Sequence, residues 1–274
     1  MFDIATCCIE AKVGSNTSIV SVYERLKTEA ADEVDVMVVL KTTKPWFWGN
    51  PEVMKEETDL PDYVRLKATV DSKLAKYVSS KGYIIPERLR EGWFYSLVYR
   101  AVTDLRAKLP GSYLDFVVRQ HGPSVQLDIF CEGTRQKLLS ADLVPCFQIG
   151  TNEYFVPKGH TRDNSLCRRS FSLEEKQLLK CMDKDDRGCR HELLRMVKAI
   201  DHRERTSLGQ LASYYLKTAF MHYIKEKPSN WDGTNSLGEH FVGFLAALQA
   251  FLQKKNLPNY WLPEVISWMR SATR

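Results

Sequence analysis

Apolar residues change rhythm along the chain. In the first half they form short alternating runs broken by turns, and after Pro157 they recur at helical spacing. Val34 to Leu40, within DEVDVMVVLK, is rich in β-branched residues and short, which predicts a strand. Alternation then puts Glu33, Asp35, Met37 and Val39 on one face and Val34, Val36, Val38 and Leu40 on the other. A loop is expected from Thr42 to Pro51. After Pro86 the spacing of Leu89, Trp93, Leu97 and Val102 predicts a helix. Three further strands are expected at Leu114 to Arg119, Val125 to Cys131 and Lys137 to Phe147. Gly122-Pro123 and Glu132-Gly133-Thr134 separate them, so they read as antiparallel neighbours. In the third of these, Ser140, Asp142 and Val144 share a face, and an acid on so apolar a strand must be paired, hydrogen-bonded or metal-bound.

Helices are expected from Arg190 to Ile200, from Leu208 to Ile224 and from Leu237 to Lys255, the last with Phe241, Phe244, Leu248 and Phe251 on one stripe. Another is announced by Ser172 to Glu175, which reads as a capping box. The pattern describes a mixed αβ lobe followed by an all-helical lobe, without internal repeats.

Composition narrows the class. The chain has 274 residues, 44% hydrophobic and 27% charged, which fits a globular protein and excludes a fibre, a disordered tail or a membrane bundle. A net charge of +5 permits a nucleic-acid partner without requiring one. The seven cysteines are irregularly spaced and do not read as a secreted disulfide framework. Met1 to Val13 lacks the plan of a secretory signal. The apolar run from Phe241 to Leu252 is shorter than the roughly 20 residues a bilayer needs. Cytoplasm is the expected compartment, with the nucleus as the other option, and no membrane is expected as a partner.

Glu33 and Asp35, two apart on one strand, are by themselves an ordinary solvated pair. Asp142 changes that, because three converging carboxylates suit hard divalent cations. Two such ions can activate an attacking hydroxyl and stabilise a leaving pyrophosphate.

The stretch SVYERLKTEAADEVDVMVVL, from Ser21 to Leu40, resembles the active-site start of cyclic GMP-AMP synthase and the cGAS-like receptors of the Mab-21 superfamily of nucleotidyltransferases. The likeness continues through GYIIPERLREGWF (82–94), LSADLVPCF (139–147), YFVPK (154–158), RRSFSLEEKQLL (168–179), CRHELLRMVK (189–198), SYYLKTAF (213–220) and LPNYWLPE (257–264). It covers nearly the whole chain after residue 20.

The resemblance implies an α+β bilobal nucleotidyltransferase fold, with a mixed β-sheet catalytic core over residues 1–155 and a helical C-terminal lobe over 156–274. It implies that Glu33, Asp35 and Asp142 hold two Mg²⁺ or Mn²⁺ ions. ATP and GTP would be the substrates, a cyclic dinucleotide the product and innate immune sensing the role. Asp128 is a rival third acid. The block around Asp142 favours Asp142, which leaves Asp128 as a turn-proximal or outward-facing acid. Lys158, Arg168 and Lys198 match basic residues of the nucleotide pocket. Tyr214 matches a base-stacking tyrosine, with Ser213 beside it, and Ser170 could face the same site, whereas Ser172 is as well explained by the helix cap.

The chain also departs from the family pattern. Val20-Ser21 stands where relatives have a Gly-Ser pair, so Ser21 keeps a candidate phosphate contact while the branched Val20 crowds it. The long N-terminal helix that braces the sheet in relatives is not expected within the residues before position 20, as in a truncated or differently spliced form. Cys181, Cys189 and His191 do not supply the four ligands of a tetrahedral zinc site, so no zinc thumb is expected. This weakens the expectation of DNA sensing and leaves double-stranded RNA, another ligand or no activator; for double-stranded RNA, Arg88, Arg90, Arg100, Arg106 and Lys108 could supply a basic surface. The alternative is a catalytically inactive family member acting as a nucleotide-binding or protein-interaction module.

Overall fold

The computed structural model describes residues 17–21, 33–41, 53–69, 72, 74–186, 188–204, 211, 213–228, 231 and 236–266. The loop expected from Thr42 to Pro51 lies outside them, as does the start of the helix expected at Leu208. The chain divides into two compact units, which change over between Ser170 and Phe171.

The first unit is built on one sheet. Its described strands are β1 (Thr17–Ser21), β2 (Glu33–Lys41), β3 (Val53–Glu57), β4 (Tyr63–Ala68), β5 (Leu114–His121), β6 (Ser124–Cys131), β7 (Lys137–Ile149), β8 (Glu153–Val156) and β9 (Leu166–Ser170). The main path runs β1-β2-β7-β8-β9-β4-β3, with β6 and then β5 branching from β7. The β2 and β7 pair is parallel and the other pairs are antiparallel. β7 is long enough to serve two neighbours on one side: it pairs with β6 as far as Leu143 and with β8 from Phe147.

Alternation decides what this sheet buries. Val36, Val38 and Leu40 of β2, Ala141 and Leu143 of β7, and Val125, Leu127 and Ile129 of β6 share one core with the helix α1 (Tyr95–Lys108). The acids therefore belong to the opposite face. The run into α1 departs from regular helical spacing. A π-helical turn at Leu89–Phe94 follows the short helical turn Pro86–Arg88, so the fully buried residue after Leu89 is Phe94, with Trp93 only partly buried. Gly92 lies in this turn, and a Cβ there would stand 2.8 Å from the Tyr77 ring. The absence of a side chain lets Tyr77 pack against the helix.

The edge formed by β8, β9, β4 and β3 is laced by charges. Lys55 Nζ donates to both carboxylate oxygens of Glu153 at 2.8 Å, and Arg169 pairs with Glu153 and Glu57. Arg65 donates to Asp163 Oδ2 at 2.8 Å. The Ser165 hydroxyl and backbone amide, followed by Arg65, hold the Asp163 carboxyl down at about 2.

The second unit is helical: α2 (Ser172–Asp185), α3 (Cys189–Arg203), α4 (Ser213–Glu226) and α5 (Ser236–Lys254). Leu193, Leu194, Phe220 and Phe244 form its centre, and the expected α5 stripe faces this core. α2 starts one residue earlier than the expected cap would place it. Ser172 is already helical, Phe171 takes the cap position without a side-chain cap bond, and buried Glu175 meets Lys217 Nζ at 2.6 Å. α3 is started by Asp186, whose carboxylate accepts from the backbone amides of Gly188 and Arg190 at 2.9 Å. Arg190 also faces Asp186 Oδ2 at 3.4 Å, and its guanidinium lies 5.0 Å from the centre of the Trp231 ring.

Candidate active site

The parallel pairing of β2 with β7 sets the acids side by side. Asp35 is in register with Asp142, and Glu33 is in register with Ser140. Because paired positions share a face, the Asp35 and Asp142 carboxylates occupy the same side of the sheet, opposite the core under α1. Asp35 is exposed and Asp142 is 9% exposed. Asp142 Oδ1 is buried and accepts no hydrogen bond among the described residues, with the His121 Nδ1 atom 3.4 Å away. An ionised oxygen in that position is costly without a donor or a cation, so the donor chemistry fits a divalent metal. No group of three converging metal donors occurs among the described residues. Glu33 is the first residue of β2.

Asp128 departs from its expected outward position. It is 2% exposed on β6, in register with Ser140. The Ser140 hydroxyl donates to Asp128 Oδ1 at 2.6 Å, and Arg119 Nη1 donates to Oδ2 at 2.8 Å. Both oxygens are therefore satisfied inside the sheet, unlike the exposed oxygen pair expected of a turn acid.

The other candidates divide between the units. Ser21 ends β1 in register with Val36, the residue after Asp35, and Val20 is in register with Met37. Arg168 lies in β9 between Val156 of β8 and Tyr63 of β4, and Ser170 is in register with Tyr154. Lys158 follows β8; partial burial of its ammonium and the nearby Arg168 guanidinium push its amine below the ordinary lysine value. In the helical unit, Lys198 is half-buried on α3, Ser213 is the exposed first residue of α4, and Tyr214 is half-buried. Asn259 donates from Nδ2 to the Tyr214 hydroxyl at 3.0 Å. The Asn259 side-chain oxygen in turn accepts from the amides of Trp261 and Leu262. Periodicity carries no sign of Asn259, because its partners lie on a helix some 45 residues upstream and in its own loop.

Sequence comparison settles the family. Residues 22–181 match the Mab-21 protein nucleotidyltransferase domain, and residues 189–265 match the Mab-21 protein HhH/H2TH-like domain. The chain belongs to the Mab-21 family. It is 47% identical over 251 residues to cyclic GMP-AMP synthase-like receptor 3 of Stylophora pistillata, covering 88% of this chain and 72% of that protein. It is 26% identical over 298 residues to a cyclic GMP-AMP synthase-like receptor of Ctenocephalides felis, covering 88% of this chain and 65% of that one. Mitochondrial dynamics protein MID51 of Danio rerio is 28% identical over 152 residues, which is 54% of this chain and 32% of that protein. β2 to β9 and most of α2 fall in the nucleotidyltransferase match, the acid strand β2 and the Asp142 strand β7 among them, and α3 to α5 fall in the HhH/H2TH-like match.

Proposed function

We propose that this Mab-21 nucleotidyltransferase joins ATP and GTP into a cyclic dinucleotide in a reaction that requires Mg²⁺ or Mn²⁺. In this reading it acts as an innate immune sensor in the cytoplasm or nucleus, with double-stranded RNA as the activating ligand. The observation that carries the reading is the register of Asp35 against Asp142, together with a buried Asp142 oxygen that accepts no hydrogen bond among the described residues. The 47% identity to a cyclic GMP-AMP synthase-like receptor supports it.

Glu33, Asp35 and Asp142 would hold the divalent cations. When bound, these supply charge neutralisation at the attacking ribose hydroxyl and at the departing pyrophosphate. The residues of the chain provide the positioning. Asp35 and Asp142 are fixed by a continuous ladder of backbone bonds, so their carboxylates need no large reorganisation before reaction. Lys158 and Arg168 offer positive charge to a triphosphate, Arg168 as a planar fork. Ser21, Ser170 and Ser213 offer hydroxyls, Lys198 a further ammonium, and Tyr214 a ring face for a base.

The test is to incubate the protein with ATP, GTP and Mg²⁺ or Mn²⁺, with and without double-stranded RNA or DNA, and to follow pyrophosphate and nucleotide products. The reading expects a cyclic product that disappears in Asp142→Ala without loss of fold. A fully active Asp142→Ala protein overturns it. The second reading, a nucleotide-binding or interaction module without turnover, is favoured by Val20 pairing as a regular strand residue with Met37, where relatives place a small residue. The zebrafish relative, named for mitochondrial dynamics, fits the same view. Nucleotide binding with no turnover under any of these conditions selects the module.

A further inference from the structure

Asp128 is a buried carboxylate of the sheet that the proposed reaction does not use. Burying a carboxylate costs several kcal/mol unless it is paired and hydrogen-bonded, and an apolar residue at this position would satisfy β6 more simply. The sheet instead supplies two partners from two different strands, the Ser140 hydroxyl on β7 and the Arg119 guanidinium on β5. These partners are unequal in kind. Ser140 is 1% exposed and holds one oxygen in place, whereas the Arg119 side chain is 56% exposed and provides the only formal positive charge in this trio.

The trio sits beside the acid pair. Ser140 is flanked in register by Glu33 on β2 and by Asp128 on β6, and two residues further along β7 Asp142 is flanked by Asp35 and Gln126. Asp128 is therefore a diagonal neighbour of Asp142, a spacing of roughly 7–8 Å between such positions in a sheet. A charge at that range in a partly desolvated site acts strongly on a divalent cation held by Asp142. Arg119 cancels most of the Asp128 charge as seen from the cation site.

We infer that Arg119 and Asp128 form a charge pair that sets the divalent-cation affinity of the Asp35 and Asp142 site, with Asp128 as the attractive member and Arg119 as its mask. Ser140 holds the Asp128 carboxylate in the position from which it acts. Arg119 and Asp128 are positioning residues in this scheme, because they touch neither cation nor substrate. The inference rests on the acid-site reading proposed above.

The two members make opposite predictions, which a purely structural role would not. Removing the mask by Arg119→Gln should tighten binding of Mn²⁺ about tenfold, and neutralising the attractor by Asp128→Asn should weaken it about tenfold. The double variant should return close to the wild-type affinity. The experiment titrates Mn²⁺ alone into the full chain and reads free Mn²⁺ by electron paramagnetic resonance, with thermal midpoints recorded for every variant. Arg119 is exposed, and a carboxamide in place of the Asp128 carboxylate can accept from Arg119 and donate to the Ser140 hydroxyl, so the variants are expected to fold. Should Asp128→Asn fail to fold, Arg119→Gln decides the sign by itself. Tighter binding in Arg119→Gln, with weaker or unmeasurable binding in Asp142→Asn, supports the pair. Single variants that both weaken Mn²⁺, or that shift it less than twofold while Asp142→Asn abolishes binding, overturn the charge pair and leave the acid site intact. Unchanged Mn²⁺ binding in Asp142→Asn overturns the acid site and the pair together.

Discussion

The sheet unit and the helical unit place their chemically interesting residues by different means. In the sheet, Asp35 and Asp142 stand together because their strands are joined by consecutive backbone hydrogen bonds, and no other side chain is needed to align them. In the helical unit, Tyr214 is held through Asn259, and the start of α3 is held through Asp186. Backbone register survives the loss of one side chain, whereas placement by side-chain bonds does not. The helical unit should therefore be the more sensitive to single deletions of polar groups.

Asp186→Ala tests this at its largest expected effect. The substitution removes a buried carboxylate that accepts two backbone amides and faces Arg190, leaving the guanidinium without its acid at the α3 start. A loss of about 3 kcal/mol is expected in chemical denaturation. A loss below about 1 kcal/mol would mean that α3 is anchored by its apolar face alone.

Asn259→Ala should come next, at about 2 kcal/mol, because three hydrogen bonds of a buried amide disappear at once. It also separates placement from stability. If Asn259 holds the Tyr214 ring for a base, KM for nucleotide rises more than kcat falls, and Asn259→Gln restores neither in full. Unchanged KM in a folded Asn259→Ala protein would detach Tyr214 from nucleotide binding.

The smallest effect is expected in the sheet unit. The Asp163 carboxyl lies at about 2 in the folded chain, below its ordinary value near 3.8. Its stabilising contribution is therefore complete above about pH 4 and is lost as pH falls toward 2. Because Asp163 is partly exposed, roughly 1 kcal/mol is expected between Asp163→Asn and wild type at neutral pH, closing in acid. A difference that stays constant between pH 2 and pH 7 would remove the ionised carboxylate as its cause.

The sheet unit was the more readable of the two from sequence. The alternation in DEVDVMVVLK states the two faces of β2, and the strands on either side of Gly122-Pro123 fall close to their expected places. Asp128 escaped because its burial is explained by Arg119 and Ser140, partners that alternation along β6 alone does not reveal. The π-helical turn at Leu89–Phe94 escaped because a single extra residue per turn still looks helical over a short window. The capping box is displaced for a related reason: α2 already begins at Ser172, with Phe171 at the cap, and buried Glu175 pairs with half-buried Lys217 on another helix. The acids of the candidate site could be named because a family pattern and a strand period agree on them. The residues that support them are set by contacts across strands and helices, which no local spacing records.

The central claim is that Asp35 and Asp142 converge on a divalent cation. Its most direct test is crystallography of the full chain with Mn²⁺ and a non-hydrolysable ATP analogue, using anomalous scattering to locate the metal. The account predicts Mn²⁺ coordinated by both carboxylates, with the Asp142 Oδ1 atom among the ligands. Nucleotide bound with Mn²⁺ absent from both carboxylates would contradict it.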